Sequence, residues 1–141
     1  MAPYYVDTCI WLNIIKKEEK EYESSKKFLD ALMTLKCTVL YSGAILRELE
    51  IKLPKQEFQK VKNQLNNGSS FREVESSVED RNKARRIESQ YNFSISFYDL
   101  LHMVLARKEN AILVTRDEFL LDVAKVYKIQ TMKPEDFLST I

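Results

Sequence analysis

Short apolar, β-branched or aromatic runs alternate along this chain with longer stretches in which apolar residues recur at helical spacing. The short runs are YYVD (4–7), CTVLYS (37–42), AILVT (111–115) and KIQTM (128–132), with FREVE (71–75) as a further candidate. Runs of this length and composition are typical of β-strands. Strands that alternate with helices predict βαβ units and a mostly parallel sheet with helices on both faces.

Five apolar stripes with three- and four-residue spacing predict helices between these strands. The stripes are Ile10, Trp11, Ile14 and Ile15; Phe28, Leu29, Leu32 and Leu35; Ile45, Leu46, Leu49 and Leu53; Phe97, Leu100, Leu101, Val104 and Leu105; and Phe119, Leu120, Val123, Ala124 and Tyr127. Helix boundaries are predicted at Pro54, at a turn near Gly68, and at Pro134, which starts a short final helix.

Four acidic positions fall where a parallel sheet would bring them together. Asp7 ends the first predicted strand, Asp117 follows AILVT, and Asp99 opens the helix SFYDLLHMVLA. A fourth acid, Glu48 or Glu50, lies in the helix after CTVLYS. Right-handed crossovers place the carboxyl ends of parallel strands on one edge, where the ligands of such sheets bind. We therefore predict one cleft that contains acids from four separate segments.

Each acid also has a purely structural interpretation. Asp7 and Asp117 suit helix N-caps, Asp99 completes a capping-box spelling with Ser96, and Glu48 fits a solvated helix face. Capping alone does not require acids amid apolar runs at one sheet edge, however. Converging carboxylates repel one another unless protons or a cation neutralise them. Hard oxygen ligands favour Mg²⁺ or Mn²⁺, and a divalent ion held by carboxylates predicts phosphodiester hydrolysis.

Composition narrows the class of protein. The 141 residues predict a single domain spanning 1–141 with its own core. The 22 basic residues nearly cancel the 21 acidic ones, so net charge does not indicate a nucleic-acid partner. Two glycines are too few for Gly-rich phosphate loops, and one histidine with two distant cysteines excludes a Cys/His zinc site. We expect free thiols and a cytoplasmic protein, because neither a signal peptide nor a membrane-length apolar run is found.

Four segments, taken in order, resemble the PIN-domain family of nucleases: VDTCIWL, SGAILRELE, YDLLHMVLA and NAILVTRDEFL. The resemblance covers most of the chain and implies a three-layer α/β/α sandwich. It marks Asp7, Glu48, Asp99 and Asp117 as the metal-binding and catalytic site, and the family's Glu-Leu pattern selects Glu48 over Glu50. The implied activity is cleavage of single-stranded RNA that depends on Mg²⁺ or Mn²⁺.

The resemblance also implies secondary contacts and partners. Thr115 matches a hydroxyl position close to the metal, and Thr8 matches a polar position after the first aspartate. Cys9 departs from the polar residue that many members have next. Compact members are often toxins that a small antitoxin inhibits, and others act in RNA processing or decay. The implied partners are therefore single-stranded or structured RNA, an antitoxin and a second copy of the chain.

Other residues have two interpretations each. His102, three residues after Asp99, is either a general base or, as we favour, a packed or hydrogen-bonded histidine near the surface. Arg116 is placed to contact a phosphate, and the basic run RNKARR (81–86) either grips RNA or forms a solvated helix face. A dimer interface or the core accounts equally for Phe28, Leu32, Phe58 and Val61.

A metal-dependent endoribonuclease is the favoured function, and two alternatives stand beside it. The first is a catalytically weak PIN-fold module that binds RNA or protein in RNA processing, which the four intact acids disfavour. The second is a receiver-like phosphoacceptor domain, which would need paired acids after its first strand and a lysine after its last. Asp7 stands alone, and Lys133 is a weak match.

Overall fold

The predicted strands form one wholly parallel sheet. The computed structural model describes residues 2–17 and 19–141, so Met1 and Glu18 of the predicted 1–141 domain lie outside the described residues. The strands are β1 (Tyr4–Val6), β2 (Val39–Ser42), β3 (Phe71–Val74), β4 (Ile112–Val114) and β5 (Thr131–Met132). Their order in the sheet is β3-β2-β1-β4-β5, and every neighbouring pair is parallel. The α/β class is confirmed; the extent of the domain stays a prediction.

Eight helices lie between and after these strands in the described part of the chain. They are α1 (Thr8–Ile15), α2 (Glu19–Thr34), α3 (Gly43–Lys52), α4 (Lys55–Asn67), α5 (Val78–Gln90), α6 (Phe97–Lys108), α7 (Glu118–Val126) and α8 (Pro134–Leu138). The predicted boundaries are confirmed, because α3 ends before Pro54, α4 ends at Gly68, and α8 begins at Pro134. None of the described helices combines the length and the apolar character needed to cross a membrane.

Helices cover both faces of the sheet, as two neighbouring tyrosines of β1 demonstrate. Successive side chains of a strand point to opposite faces. The Tyr4 ring packs edge-on against Phe28 of α2, with centroids 6.4 Å apart, and against Phe137 of α8 at 5.6 Å. The Tyr5 ring lies 5.5 Å from the ring of His102 in α6. The three-layer α/β/α arrangement is therefore confirmed.

The predicted apolar stripes form most of the core, with two clear exceptions. Leu35 lies beyond the end of α2 and is 51% exposed, and Phe119 in the first turn of α7 is 47% exposed. The four side chains considered for a dimer interface are instead buried in the chain's own core: Phe28, Leu32, Phe58 and Val61. These residues offer no surface to a second copy, so the homodimer stays a prediction without an assigned interface.

The order of the strands reverses at the centre of the sheet. From β1 the chain moves outward through β2 and β3, then returns to the other side of β1 to form β4 and β5. Ligands of open parallel sheets bind at such a switch point, beyond the carboxyl ends of the strands. Asp7 follows β1 there, and its backbone N–H donates to the carbonyl oxygen of Val114 at the end of β4, at 2.9 Å.

Candidate active site

Asp7 is held at the switch point by hydrogen bonds to both of its carboxylate oxygens. It is the N-cap of α1, and its Oδ1 accepts the Thr8 N–H at 2.7 Å. Its Oδ2 accepts the Thr115 hydroxyl at 2.7 Å and the Cys9 thiol at 3.3 Å. Only 4% of Asp7 is exposed. The capping interpretation is thus correct for one oxygen, while the second faces donors from the end of β4 and from α1.

Glu48 approaches Asp7 from α3. Its Oε1 accepts the Thr8 hydroxyl at 2.6 Å and lies 2.6 Å from His102 Nε2. Glu50, the alternative acid in the same helix, is exposed and pairs with Arg47 at 2.8 Å. The structure therefore places Glu48, and not Glu50, beside Asp7, because residues two apart on a helix point to different sides.

His102 lies in the same cluster and is completely buried. Its Nδ1 shares a hydrogen bond of 2.8 Å with the Tyr5 hydroxyl, which also bonds Ser42 Oγ at 2.7 Å. The preferred interpretation was correct about hydrogen bonding but wrong about a position near the surface. The helical spacing from Asp99 indicated a shared region, yet nothing in the sequence indicated the contacts to Tyr5 and Glu48.

The charges of this cluster influence one another strongly. Burial alone would lower the pKa of His102, but the hydrogen bond to Glu48 and the charges of Asp7, Glu48 and Asp99 raise it above its ordinary value. Burial raises the pKa of Glu48, but bonds from His102 and Thr8 outweigh that effect and lower it. The pair thus favours an imidazolium beside a carboxylate when no other cation is bound.

Asp99 lies in the first turn of α6, three residues before His102. Its backbone N–H donates to Ser96 Oγ at 3.2 Å, which is one half of the capping box that the sequence spells. Burial, followed by repulsion from the Asp7 carboxylate, raises the pKa of Asp99 to about 6, although the charge of His102 acts in the opposite direction. Asp99 is therefore within electrostatic reach of the cluster without a direct contact to it among the described hydrogen bonds.

Asp117 is more exposed than the other three acids, and it caps α7. Its Oδ1 accepts the N–H groups of Phe119 at 3.0 Å and Leu120 at 3.2 Å. Its own N–H donates to Thr115 Oγ1 at 3.1 Å, and Thr115 in turn donates to Asp7. The cap uses Oδ1 alone, so the second oxygen is not required for it. The role of Asp117 as a ligand stays a prediction.

Arg116 is engaged in contacts away from the acids. Its guanidinium donates to Asn13 Oδ1 at 3.0 Å and to the hydroxyls of Ser24 at 2.8 Å and Ser25 at 2.9 Å, and it forms an ion pair with Glu135. These partners belong to α1, α2 and α8. The sequence predicted that Arg116 contacts a phosphate. In the structure its side chain instead links three helices to the end of β4.

Three side chains of the cluster are arranged as a group that could hold a cation. One carboxylate oxygen of Asp7, one of Glu48 and one ring nitrogen of His102 lie within 4.8 Å of one another. The structure thus brings together two of the four predicted acids and adds a histidine. Asp99 lies in the first turn of the flanking helix α6, and Asp117 is the N-cap that precedes α7.

Solved structures with this fold come from several organisms. The VapBC2 structure from Rickettsia felis, bound to a DNA fragment from its promoter, gives a TM-score of 0.67 at 24% identity, covering 92% of this chain and 97% of that one. Mycobacterium tuberculosis VapC20, described as a sarcin-ricin loop cleaving toxin, gives 0.70 at 16% identity, covering 85% and 94%. The FitAcB structure from Neisseria gonorrhoeae gives 0.61 at 15% identity, covering 93% and 97%. At these identities the likeness shows a shared fold.

Comparison of sequences identifies the family. No curated protein sequence matches the chain. The family model described as PIN domain matches residues 4–126, a span that contains the four predicted acids: Asp7, Glu48, Asp99 and Asp117. The chain therefore belongs to the PIN-domain family.

Proposed function

We propose that this protein is an endoribonuclease that depends on a divalent metal ion, and that it is the toxin of a toxin–antitoxin pair. The observation that carries the proposal is the convergence of Asp7, Glu48 and His102 at the switch point of the sheet, with their ligand atoms within 4.8 Å of one another. Carboxylates gathered at that edge are suited to a cation and, through it, to a phosphate.

The donor set fits a divalent ion. The two carboxylates of Asp7 and Glu48 would hold Mg²⁺ or Mn²⁺, and the imidazole of His102 lies where it can contribute a nitrogen. Asp99 adds negative charge close by, and Asp117 is the fourth acid that the sequence predicts. When bound, such an ion supplies Lewis-acid polarisation of a phosphoryl oxygen and a water with a lowered pKa.

Hydroxyl groups of the chain orient the acids for this task. The Thr8 hydroxyl donates to Glu48 while its N–H donates to Asp7, so one residue positions two carboxylates. Thr115 fixes the other oxygen of Asp7. Tyr5 holds the ring of His102 through Nδ1, which leaves Nε2 directed at Glu48. Partners of this kind, bonded to ligands rather than to the metal, fix ligand orientation.

RNA as substrate and an antitoxin as partner are supported by family membership and by the structural likeness. VapC20, which shares the fold, is described as cleaving the sarcin-ricin loop, an RNA element. The VapBC2 structure and the FitAB structure are each described as bound to a DNA fragment. We propose a small antitoxin that covers the acidic site, single-stranded or structured RNA as the substrate, and action in the cytoplasm.

The test is cleavage of single-stranded RNA by the purified protein with Mg²⁺, with Mn²⁺ and with EDTA. We expect cleavage with at least one metal, none with EDTA, and none with Asp7→Asn. The matched control is Asp30→Asn, because Asp30 is exposed and forms a surface ion pair with Lys26 within α2. Cleavage that survives both EDTA and Asp7→Asn would falsify the mechanism.

One observation favours a second candidate, the catalytically weak binding module. Within the described residues every buried polar side-chain nitrogen and oxygen atom already has a hydrogen-bond partner, and Glu48 Oε1 bonds both the Thr8 hydroxyl and His102 Nε2. A protein that binds RNA in EDTA but does not cleave it with either metal would support this candidate over the nuclease.

A further inference from the structure

A second charged region lies on the outer side of α5 and α6. A cavity of about 560 Å³ opens there, with walls from α5, α6 and the segment after α7. Its volume is within the range of ligand sites in proteins. Four cations line it, and the apolar side chains of Ile87, Met103 and Ile129 form its floor. The four cations are Lys83, Arg86, Arg107 and Lys108.

Most of this positive charge is not neutralised by neighbouring acids. Lys108 Nζ pairs with the one carboxylate in the wall, Asp80, at 2.8 Å. Lys83 Nζ lies 3.6 Å from Glu79 Oε1, but both side chains are exposed, so this ion pair is weak and neutralises little of the lysine's charge. Among residues 2–17 and 19–141, Arg86 and Arg107 have no ion pair. Exposed guanidinium groups of this kind bind phosphate with well-directed hydrogen bonds.

Helix α6 runs from the acidic site to the cavity. Asp99 lies in the first turn of this helix, while Arg107 and Lys108 lie in its last turn. Nine residues of helix span about 13 Å, roughly the length of four stacked nucleotides at 3.4 Å each. Within the cavity wall, Gln90 accepts a hydrogen bond from the Tyr127 hydroxyl at 3.0 Å. A polymer cut at the acids would therefore reach the cations a few nucleotides away.

Two aromatic rings in contact with each other each follow closely, in sequence, a residue of one of the two regions. Tyr91 follows Gln90 of the cavity wall, and its ring contacts Phe119 edge-on, with centroids 6.4 Å apart. Phe119 is two residues after Asp117 and is 47% exposed, which is unusual for a large apolar side chain in a predicted core stripe. One exposed and one partly exposed ring near a basic cavity suit single-stranded nucleic acid, because bases stack on aromatic rings while cations follow the backbone.

We propose that this cavity is a second RNA-binding site, which holds phosphates of the single strand a few nucleotides from the scissile bond. The inference rests on RNA being the substrate, as proposed above. Charge complementarity selects the occupant, because two arginines without an ion pair and a weakly paired lysine over an apolar floor favour a polyanion that also carries flat bases. The basic run at 81–86 thus supplies Lys83 and Arg86 to a site rather than only to a solvated face.

The test measures binding without cleavage, so that it does not depend on the proposed hydrolysis. In EDTA, fluorescence anisotropy gives the Kd of a labelled oligouridylate between 50 and 200 mM salt. For the triple variant Lys83→Gln, Arg86→Gln and Arg107→Gln we expect the slope of log K against log salt to fall by about 2, since each phosphate contact contributes roughly 0.7 for single strands. The wild type should then lose roughly 20-fold more affinity over this range than the variant.

The control variant carries the same change in net charge elsewhere. Lys27, Lys55 and Lys60 are exposed on α2 and α4, and their replacement by Gln should change the slope by less than half as much. Equal decreases of the slope in both variants would mean that only the net charge matters, and would overturn the proposed site. Absence of RNA binding by the wild type would overturn it as well, whether or not RNA is cleaved under other conditions.

Two further outcomes are decisive. An oligo-glutamate peptide that binds more tightly than the RNA, and whose binding the triple variant abolishes, would assign the cavity to an acidic protein segment and overturn the proposal. Circular dichroism checks that the triple variant folds; if it does not, the single variants replace it. Each single variant is then expected to lower the slope by about 0.7, and unchanged slopes in all three would contradict the site.

Discussion

The two ends of α6 carry opposite charges in opposite environments. At its first turn, Asp99 faces a cluster in which Asp7 and His102 are almost wholly buried. At its last turn, Arg107 and Lys108 are exposed in the wall of the basic cavity. Acids near the start and bases near the end of a helix both suit its dipole, so the polarity of the backbone itself is compatible with this arrangement.

The difference between the two regions is how charge is held. In the acidic site, hydroxyls from Thr8 and Thr115 and the ring of His102 fix each carboxylate at 2.6–2.7 Å. In the cavity, the charges are carried by long exposed side chains on helix surfaces, where solvent and salt screen them. A single substitution in the acidic site should therefore reduce RNA cleavage strongly. A single substitution in the cavity should reduce RNA affinity only slightly, by an amount that depends on salt.

The largest expected effect belongs to Glu48→Gln. The substitution keeps the shape of the side chain and one oxygen that can accept the bonds from Thr8 and His102, but it removes the negative charge and replaces the second carboxylate oxygen by an NH2 donor. Because changes to residues that merely support metal ligands cost about 10–100-fold in activity, we expect loss of this ligand to cost about 100-fold or more in kcat/KM for RNA. The measurement is steady-state cleavage with saturating metal.

The matched control is Glu50→Gln in the same helix. Glu50 is exposed and bonded to Arg47, so its replacement should leave cleavage within about twofold. If the two variants lost activity equally, the contrast between the buried acids and the exposed charges would be lost.

The next effect sharpens the comparison by using a cation that is only partly exposed. Arg116→Ala removes bonds to Asn13, Ser24 and Ser25, and the Asn13 and Ser25 side chains that lose a partner are themselves buried. We expect a loss of about 2–3 kcal/mol in the free energy of unfolding, measured by urea denaturation. Arg107→Ala in the exposed cavity should cost less than about 0.5 kcal/mol. Similar losses of unfolding free energy in the two variants would contradict the expected difference between the two arginines.

A smaller effect follows from the raised pKa of Asp99 in protein kept in EDTA. Its pKa is about 6 in the folded state, against about 3.9 in the unfolded chain, so the favourable contribution to stability is present below pH 4 and is lost as the pH rises through 6. Asp99→Asn should therefore be more stable than the wild type at pH 7, by about 1 kcal/mol after allowance for solvent screening.

The measurement for Asp99 is the difference in unfolding free energy between the two proteins from pH 4 to pH 8. That difference should shrink as the pH falls through 6 and vanish near pH 4. A constant difference across the range would show that Asp99 does not titrate in the field of Asp7.

Much of this organisation could be predicted because it depends on local signals. The parallel sheet followed from apolar runs separated by helical stripes, and the position of Asp7 followed from its place after the first run. The choice between Glu48 and Glu50 needed the family pattern, since both lie in one helix. The structure then separates them by their faces: one contacts Thr8 and His102, the other Arg47.

The remainder depends on side-chain direction and on contacts between distant segments. Arg116 was placed on a phosphate because it adjoins Asp117, but neighbouring side chains after a strand point to opposite sides, and Arg116 turns toward α1 and α2. His102 was predicted near the surface, and its burial could not be predicted because its partner Tyr5 lies 97 positions away in the sequence. Helical spacing gives the face of a helix, but not what that face meets.

The smallest expected effect is that of one cation in the basic cavity. Arg107→Gln removes a single proposed phosphate contact from a surface where Lys83 and Arg86 remain, so we expect RNA affinity to fall only about two- to threefold at 200 mM salt. At 50 mM salt the loss should be larger, because each contact releases a counterion and counts for more when salt is scarce. Cleavage of an RNA that is too short to reach from the acidic site to the cavity should not change. A loss of the same size for short and long RNA would place Arg107 at the scissile bond, and would remove the distinction between the two ends of α6.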